Sequence, residues 1–253
     1  MYQEERLMAI LQHLQTHRRI SVQEICDRFG VSRDTARRDI VRLEEQGEIL
    51  RTRGGAILPT LSKSNPKLAE RLQRESGSKQ RIGALAATLI KDRDYLILDA
   101  STTVQVAAMH LRSADNVVVT NSLDIASLLS EKEQITVHLL GGRLDLENRY
   151  VYGARAIAML ADYHADKLLI GTHGLTHEGL YIPTEEEGFL VREMIRRADQ
   201  VILLADHSKF GVKHFARIAG LEQIDILVTD RMPPEDLLQA LQRHEVELLV
   251  TEG

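Results

Sequence analysis

From Lys79 to the end of the chain, short uninterrupted apolar runs alternate with stretches of helical periodicity, and few folds accommodate that pattern. The runs are Tyr95–Leu98, Val117–Val119, Thr136–Leu140, Lys167–Ile170, Val201–Leu204, Ile226–Val228 and Val246–Val250. Helical spacing occupies Arg81–Ile90, then Val104, Ala107, Ala108 and Leu111, then Asp124–Leu129, Glu186–Ala198 and the stretch begun by Pro233-Pro234. A strand that is apolar at every position is buried on both faces, as in a parallel sheet covered by crossover helices. The pattern predicts an α/β domain with a mainly parallel sheet, and no internal repeat is evident.

The first 58 residues have a different character. Leu7, Ile10, Leu11 and Leu14 stand at i, i+3, i+4 and i+7, which predicts a helix over 3–16. THRRI breaks the period. Ser21 then caps SVQEICDRF, with Glu24 in capping-box position and Val22, Ile25, Cys26 and Phe29 on the apolar side. Gly30 supplies a tight turn. The next stretch, VSRDTARRDIVRLEEQ over 31–46, starts on Ser32 and turns Ala36, Ile40 and Leu43 one way. Asp34, Thr35, Arg38, Arg42 and Glu45 project the other way. An amphipathic helix with arginines in its first turns suits a DNA major groove. After Gly47, Ile49-Leu50 and Ala56-Ile57-Leu58 flank Arg51, Arg53 and a Gly54-Gly55 turn, the pattern of a β-hairpin. Following a helix-turn-helix, such a hairpin is a wing, its arginines set against phosphates. Taken singly, these pieces are equally a solvated helix and an ordinary hairpin; their succession favours the DNA reading.

Charge supports that division. The net charge is −5, but residues 1–93 hold 18 Lys and Arg against 12 Asp and Glu, while residues 94–253 hold 14 against 25. One part of the chain suits a polyanion and the other does not. Aromatic residues at 4%, with no Trp, argue against stacking as a means of binding. Cys26, the one cysteine, excludes an internal disulfide or Cys-based metal cluster and reads as a small buried hydrophobe. The ten histidines lack metal-ligand spacing, and neither metal nor cofactor is expected. Without a signal-like apolar run or a membrane-length stretch, a cytoplasmic location with no membrane partner is expected. Residues 59–78, with two prolines and several Ser, Lys and Arg, read as a linker whose middle, Lys67 to Glu75, has helical character.

In the α/β part, polar loops follow the strands: Asp99-Ala100-Ser101-Thr102-Thr103, Thr120-Asn121-Ser122, Gly141-Gly142-Arg143, Gly171-Thr172-His173-Gly174 and Asp206-His207-Ser208-Lys209. Open α/β sheets bind ligands beyond the carboxyl ends of their strands. Ser101, Thr102 and Thr103 enter a helix, where hydroxyls and free N–H groups converge on an anion. Arg143 and Lys209 add positive charge, while Asn121 and the Glu185-Glu186-Glu187 run offer partners for hydroxyls. A phosphorylated sugar or polyol fits that description. Helix capping by Thr102 and a solvated glutamate run are the plainer alternatives.

Both parts resemble one family. The run from Ile20 through V-S-R-D-T-A-R-R-D to R-T-R-G-G-A looks like the DNA-binding end of DeoR-type bacterial transcriptional regulators, with Ala36 where Ile or Val is common. D-A-S-T-T, T-N-S, L-G-G, A-D-K-L-L-I-G-T-H-G-L and A-D-H-S-K-F-G look like that family's effector domain, which is similar in fold to ribose-phosphate isomerases. The resemblance implies a phosphate loop at Ser101, Thr102 and Thr103, with Asn121, Gly141, Gly142, His173, Glu187 and Lys209 in the pocket. Ser101 replaces a common Gly, and Val191 stands where many members have Lys.

The expectation is therefore a winged helix-turn-helix domain over 1–58 (helix-turn-helix about 20–46, wing 47–58), a linker over 59–78, and an α/β effector-binding and oligomerisation domain over 79–253. Double-stranded operator DNA would meet Ser32, Arg33, Asp34, Thr35, Arg37, Arg38, Arg42, Arg51 and Arg53. The effector, a phosphorylated sugar, would meet Asp99, Ser101, Thr102, Thr103, Asn121, Ser122, Gly141, Gly142, Arg143, His173, Glu187 and Lys209. The function expected is repression of a carbohydrate-metabolism operon by a homo-oligomer, dimer or tetramer, without catalytic residues. The alternative is a sugar-phosphate isomerase or transferase carrying a DNA-binding module; activation in place of repression is a lesser rival.

Overall fold

The computed structural model describes residues 2–58 and 68–251. Residues 59–67, within the expected linker, lie outside the described residues. The chain divides into two compact units, Met1–Lys63 and Ser64–Gly253.

In the first unit, α1 (Gln3–His17), α2 (Val22–Phe29) and α3 (Arg33–Glu45) enclose a core of Leu7, Ile10, Leu14, Ile25, Ala36, Ile40 and Leu43. Those are the positions at helical spacing, so periodicity alone selects them. Ser21 caps α2 by accepting from the Glu24 amide at 3.1 Å, while the Glu24 carboxylate accepts from the Ser21 amide at 2.7 Å. Gly30 ends α2 in the left-handed region at φ 63°. The wing has three strands: β1 (Arg19–Ser21), in the stretch read as an irregular break, pairs with β3 (Gly55–Ile57), which pairs with β2 (Leu50–Thr52). The turn is Arg53-Gly54, one residue earlier than expected, because Gly55 belongs to the strand. A Cβ on Gly55 would lie 2.0 Å from the Ile20 carbonyl oxygen, so only glycine allows β1 to pair there.

The second unit opens with α4 (Leu68–Gln73) and α5 (Ser76–Ala87). Helix thus begins within the segment read as linker. The seven expected strands are all present: β4 (Tyr95–Leu98), β5 (Asn116–Thr120), β6 (Ile135–Leu139), β9 (Ala165–Gly171), β12 (Ala198–Leu204), β14 (Ile226–Thr229) and β15 (Glu247–Val250). They form one parallel sheet in the order β15-β14-β12-β9-β4-β5-β6. Alternate residues face opposite cores. Ile97, Leu168, Ile170 and Leu203 pack with α8 (Ala154–Leu160), α9 (Glu185–Arg196) and α10 (Glu235–Arg243). Leu96, Leu98, Leu169 and Leu204 pack with α5, α6 (Thr102–His110) and α7 (Leu123–Leu129). Burial on both faces is why these strands carry continuous apolar runs.

Short antiparallel pieces complete the unit: β7 (Arg143–Asp145) with β8 (Tyr150–Tyr152), and β10 (Gly174–Thr176), β11 (Gly179–Ile182) and β13 (Ala216–Ala219) in a three-stranded sheet. These, with α8, lie outside the expected elements. The direction of strand addition reverses at β4: β5 and β6 extend from one side, while β9, β12, β14 and β15 extend from the other. A crevice opens at such a reversal because the flanking connections leave in opposite directions. Among the described residues no helix is long and apolar enough to cross a membrane.

Candidate functional site

On the first unit, α3 begins at Ser32, whose Oγ accepts from the Thr35 amide at 3.2 Å and lies 3.0 Å from the Thr35 Oγ1. Ser32 and Thr35 are thus first a cap. Arg33 donates to the Gln23 Oε1 at 2.9 Å, fixing α3 on α2. Asp34, Arg37 and Arg38 are exposed. Arg37 shares a groove with Arg51, Thr52 and Arg53 of the wing, floored by Val22 and Ile40. Arg42 turns to the other side and donates to the Gln3 Oε1 of α1 at 2.8 Å. Arg51 lies 3.9 Å from Glu44, both exposed, a contact worth little in water.

Asp39 was absent from the expected set. It is fully buried; its Oδ2 accepts from the Arg6 Nε at 2.6 Å, and its Oδ1 from the Arg6 Nη2 at 3.2 Å and the Gln3 Nε2 at 3.1 Å. The signal was available: Asp39 sits three residues after Ala36 and four before Leu43, on the apolar face. A carboxylate there requires a buried partner.

On the second unit, the ends of β4, β9 and β12 surround a cleft of about 660 Å³, its open mouth included. Of the expected residues, Asp99, Ser101, Thr102, Thr103, His173, Glu187 and Lys209 line it. Ser101 caps α6 by accepting from the Thr103 amide at 3.3 Å. Gly171 exists for Ser101: a Cβ there would lie 2.1 Å from the Ser101 Oγ and 2.4 Å from its Cβ. Asp206 caps the turn His207–Lys209 through the Ser208 amide at 3.0 Å and directs Lys209 inward.

The electrostatics of this cleft are unresolved within the unit itself. Burial pushes the Asp99 carboxyl up to about 6, against hydrogen bonds from the Gly171 and Ala100 amides. Burial, with the nearby charge of Asp99, pushes Glu187 up to about 7. Burial holds His173 well below its usual range, helped by the cations Arg71 and Lys209 and by His214. The His173 Nε2 is 4.0 Å from the Glu187 Oε1. With the imidazole neutral and the carboxyl near its midpoint, this is no firm ion pair at neutral pH.

Five expected residues do not line the cleft. Asn121 is buried, donating to the Val151 carbonyl at 3.3 Å, and Ser122 caps α7 through the Ile125 amide at 3.2 Å. The hairpin strand β8 covers the end of β5, since Val151 N–H donates to the Asn121 carbonyl at 2.8 Å and Tyr150 bridges Ser122. Gly142 packs against the Tyr152 carbonyl, and Arg143 stacks 5.7 Å from the Tyr152 ring. Gly141 is exposed. These loops follow β5 and β6, on the far side of the reversal, and β6 stands two strands from β4, about 10 Å away.

Thr172, in the loop after β9, also lines the cleft, and so do Arg71, Arg74 and Lys79, which fall in the linker and at its edge. No local signal marks them, because a basic stretch beside Ser and Pro ordinarily reads as solvated chain.

Comparison with known proteins gives a family match in each unit. The DeoR-like helix-turn-helix domain matches residues 6–61, and the DeoR C terminal sensor domain matches residues 74–231. The chain is 53% identical over 252 residues to the HTH-type transcriptional repressor GlcR of Bacillus subtilis (strain 168), covering 100% of this chain and 98% of that one. It is 30% identical over 250 residues to the glycerol-3-phosphate regulon repressor of Escherichia coli (strain K12), covering 98% and 99%. Among solved structures, a D-ribose-5-phosphate isomerase in complex with phospho-erythronic acid aligns with 52% of this chain and 53% of its own, at 18% identity and a TM-score of 0.39. Family matches over both units and full-length likeness to named repressors place this chain in the DeoR family of transcriptional regulators.

Proposed function

We propose that this regulator is a repressor of carbohydrate-metabolism genes that a phosphorylated sugar or related anion releases from its operator. The observation that carries the reading is the cleft at the strand reversal. There the amide-rich start of α6 meets Arg71, Arg74, Lys79 and Lys209 beside the acids Asp99 and Glu187, both raised by burial. The cations and helix start suit a phosphate, and the acids suit hydroxyls. Two relatives support it by name: one is a transcriptional repressor, and the other represses a glycerol-3-phosphate regulon.

On the DNA side, Arg38 and Arg37 present the base-reading face of α3, and Arg51 and Arg53 of the wing contact phosphates. Asp34 and Thr35 border that face; Ser32 and Arg33 set the helix on the backbone, and Arg42 steadies α3 from α1. A single head of this size makes few contacts, so a cytoplasmic homo-oligomer on paired half-sites completes the reading. An effector that releases DNA must favour the unbound conformation by about 1–3 kcal/mol of coupling.

The test is fluorescence anisotropy on the intergenic DNA flanking the gene, titrated with a panel of phosphorylated sugars. Release by one of them, together with a raised melting temperature, is expected. Arg38→Ala should abolish DNA binding and leave both the melting temperature and its ligand-induced rise nearly unchanged. Specific turnover of a sugar phosphate at ordinary enzymatic rates would instead establish the isomerase or transferase alternative.

A further inference from the structure

Helix α4 is the first described element after the wing, and nine residues, 59–67, separate it from Leu58. Whatever holds α4 therefore fixes where the chain leaves the second unit. Few interactions hold it. It is only six residues long, and of its described side chains Leu68 alone is buried. Arg71 donates to the Asn148 Oδ1 at 3.1 Å, in the turn joining β7 and β8. The Lys79 ammonium, from the first turns of α5, donates to the Arg71 carbonyl and, at 2.7 Å, to the Arg74 carbonyl. Between the two helices Glu75 stands at φ 49°, a left-handed conformation costly for a side-chain-bearing residue. A short, mostly exposed helix beyond such a joint belongs to the low-stability end of a fold.

The donors that hold α4 also face the cleft. Arg71 and Lys79 both line it together with Ser101, Thr102 and Thr103. The Arg71 Nε is buried and has no hydrogen-bond partner among the described residues. Lys79 is 4% exposed, and its three-proton ammonium has two protein acceptors. A buried guanidinium N–H without an acceptor is costly and accepts an oxyanion readily.

Resting on the effector reading above, we propose that Arg71 and Lys79 form an anion-driven latch. An oxyanion seated at the start of α6 accepts hydrogen bonds from the open Arg71 Nε–H and the remaining Lys79 N–H, and so clamps α4 onto the rest of the second unit. Occupancy of the cleft then reaches residues 59–67 through α4 and needs no rearrangement of the sheet. Arg71 is in this respect a coupling residue as well as a binding residue.

Hydrogen exchange on the full-length protein tests this, with inorganic phosphate as the probe and chloride at equal ionic strength as the control. The Thr102 and Thr103 amides report anion seating; those of Leu72, Gln73 and Arg74 report the latch. Phosphate should slow both sets in the wild type. Arg71→Gln should weaken phosphate binding between about tenfold and hundredfold, the loss expected for a charge-assisted hydrogen bond. At saturating phosphate this variant should protect Thr102 and Thr103 but leave α4 exchanging as in chloride. Protection of Thr102 and Thr103 without α4 in the wild type overturns the latch while the anion site stands. Protection of neither set overturns the anion site and the latch with it, and undiminished α4 protection in Arg71→Gln removes Arg71 from the mechanism.

Discussion

In the DNA-reading unit the buried carboxylate of Asp39 is met on both oxygens by Arg6 and Gln3. In the sensor unit, among the described residues, the buried carboxyl of Asp99 receives only backbone amides, and burial pushes Glu187 beside it up to about 7. Cations are present there, yet among the described residues the Arg71 Nε has no partner, and two of the three Lys79 protons go to carbonyls. The buried carboxylate of the first unit is thus paired within that unit, which suits a rigid reading head. The second unit is left incomplete, and in the proposed reading an anionic ligand completes it. A ligand shifts a sensor only through a difference in affinity for its states, and unmet charge is one source of that difference.

The sharpest way to break this comparison is Asp39→Ala. Removing one partner of a buried ion pair costs about 3–5 kcal/mol, and here it would leave Arg6 buried without the carboxylate it pairs with. Chemical denaturation monitored in the first unit should show a loss of that size. A loss below about 1 kcal/mol, the worth of an exposed pair, would mean that the head is not completed by this pair. In the sensor unit, Gly171→Ala places a methyl group against Ser101 and should cost about 1–3 kcal/mol through overpacking. Ser101→Gly in the same chain should recover most of it; failure to recover would move the strain from Ser101 to the backbone. Ser32→Ala removes the cap of α3 and should cost about 1 kcal/mol in the first unit, read by the same denaturation, with the second unit unaffected.

The comparison also explains what was legible in the sequence. The seven parallel strands could be read because burial on both faces leaves an apolar run, and the recognition helix because Ser32 caps it and Ala36, Ile40 and Leu43 line one face. Strands such as β1, β7 and β10 have three residues each, too few to display a period, and they exist through pairing with distant partners. The cleft residues from Asp99 to Thr103 were found because loop chemistry follows strand order. Asn121, Gly141 and Arg143 satisfy the same local rule, but which side of the reversal is covered by β8 is a tertiary fact. Arg71 and Lys79 are the converse case, because nothing in their neighbours distinguishes a latch from a solvated basic linker.

The smallest effect follows from the raised titration of Glu187. Glu187 titrates at about 7, raised by burial first and then by Asp99 and Asp145, with Arg71 opposing. A second anion in the cleft raises that value further, so binding takes up part of a proton and affinity falls as pH rises through 7. A phosphate monoester becomes dianionic near pH 6, which acts in the opposite direction but is nearly complete above about pH 7. Between about pH 7 and 8.5, where the ligand's charge no longer changes, calorimetric titration should show affinity weakening a few-fold, with net proton uptake in buffers of different ionisation enthalpy. Glu187→Gln keeps the shape of the side chain and removes its proton, so the slope and the uptake should both fall, leaving only what Lys79, at about 8, contributes as it loses its charge. A slope undiminished in Glu187→Gln would assign the whole proton to Lys79. That variant therefore decides whether the unmet charge that sets the sensor apart from the reading head lies with its acids or with its lysine.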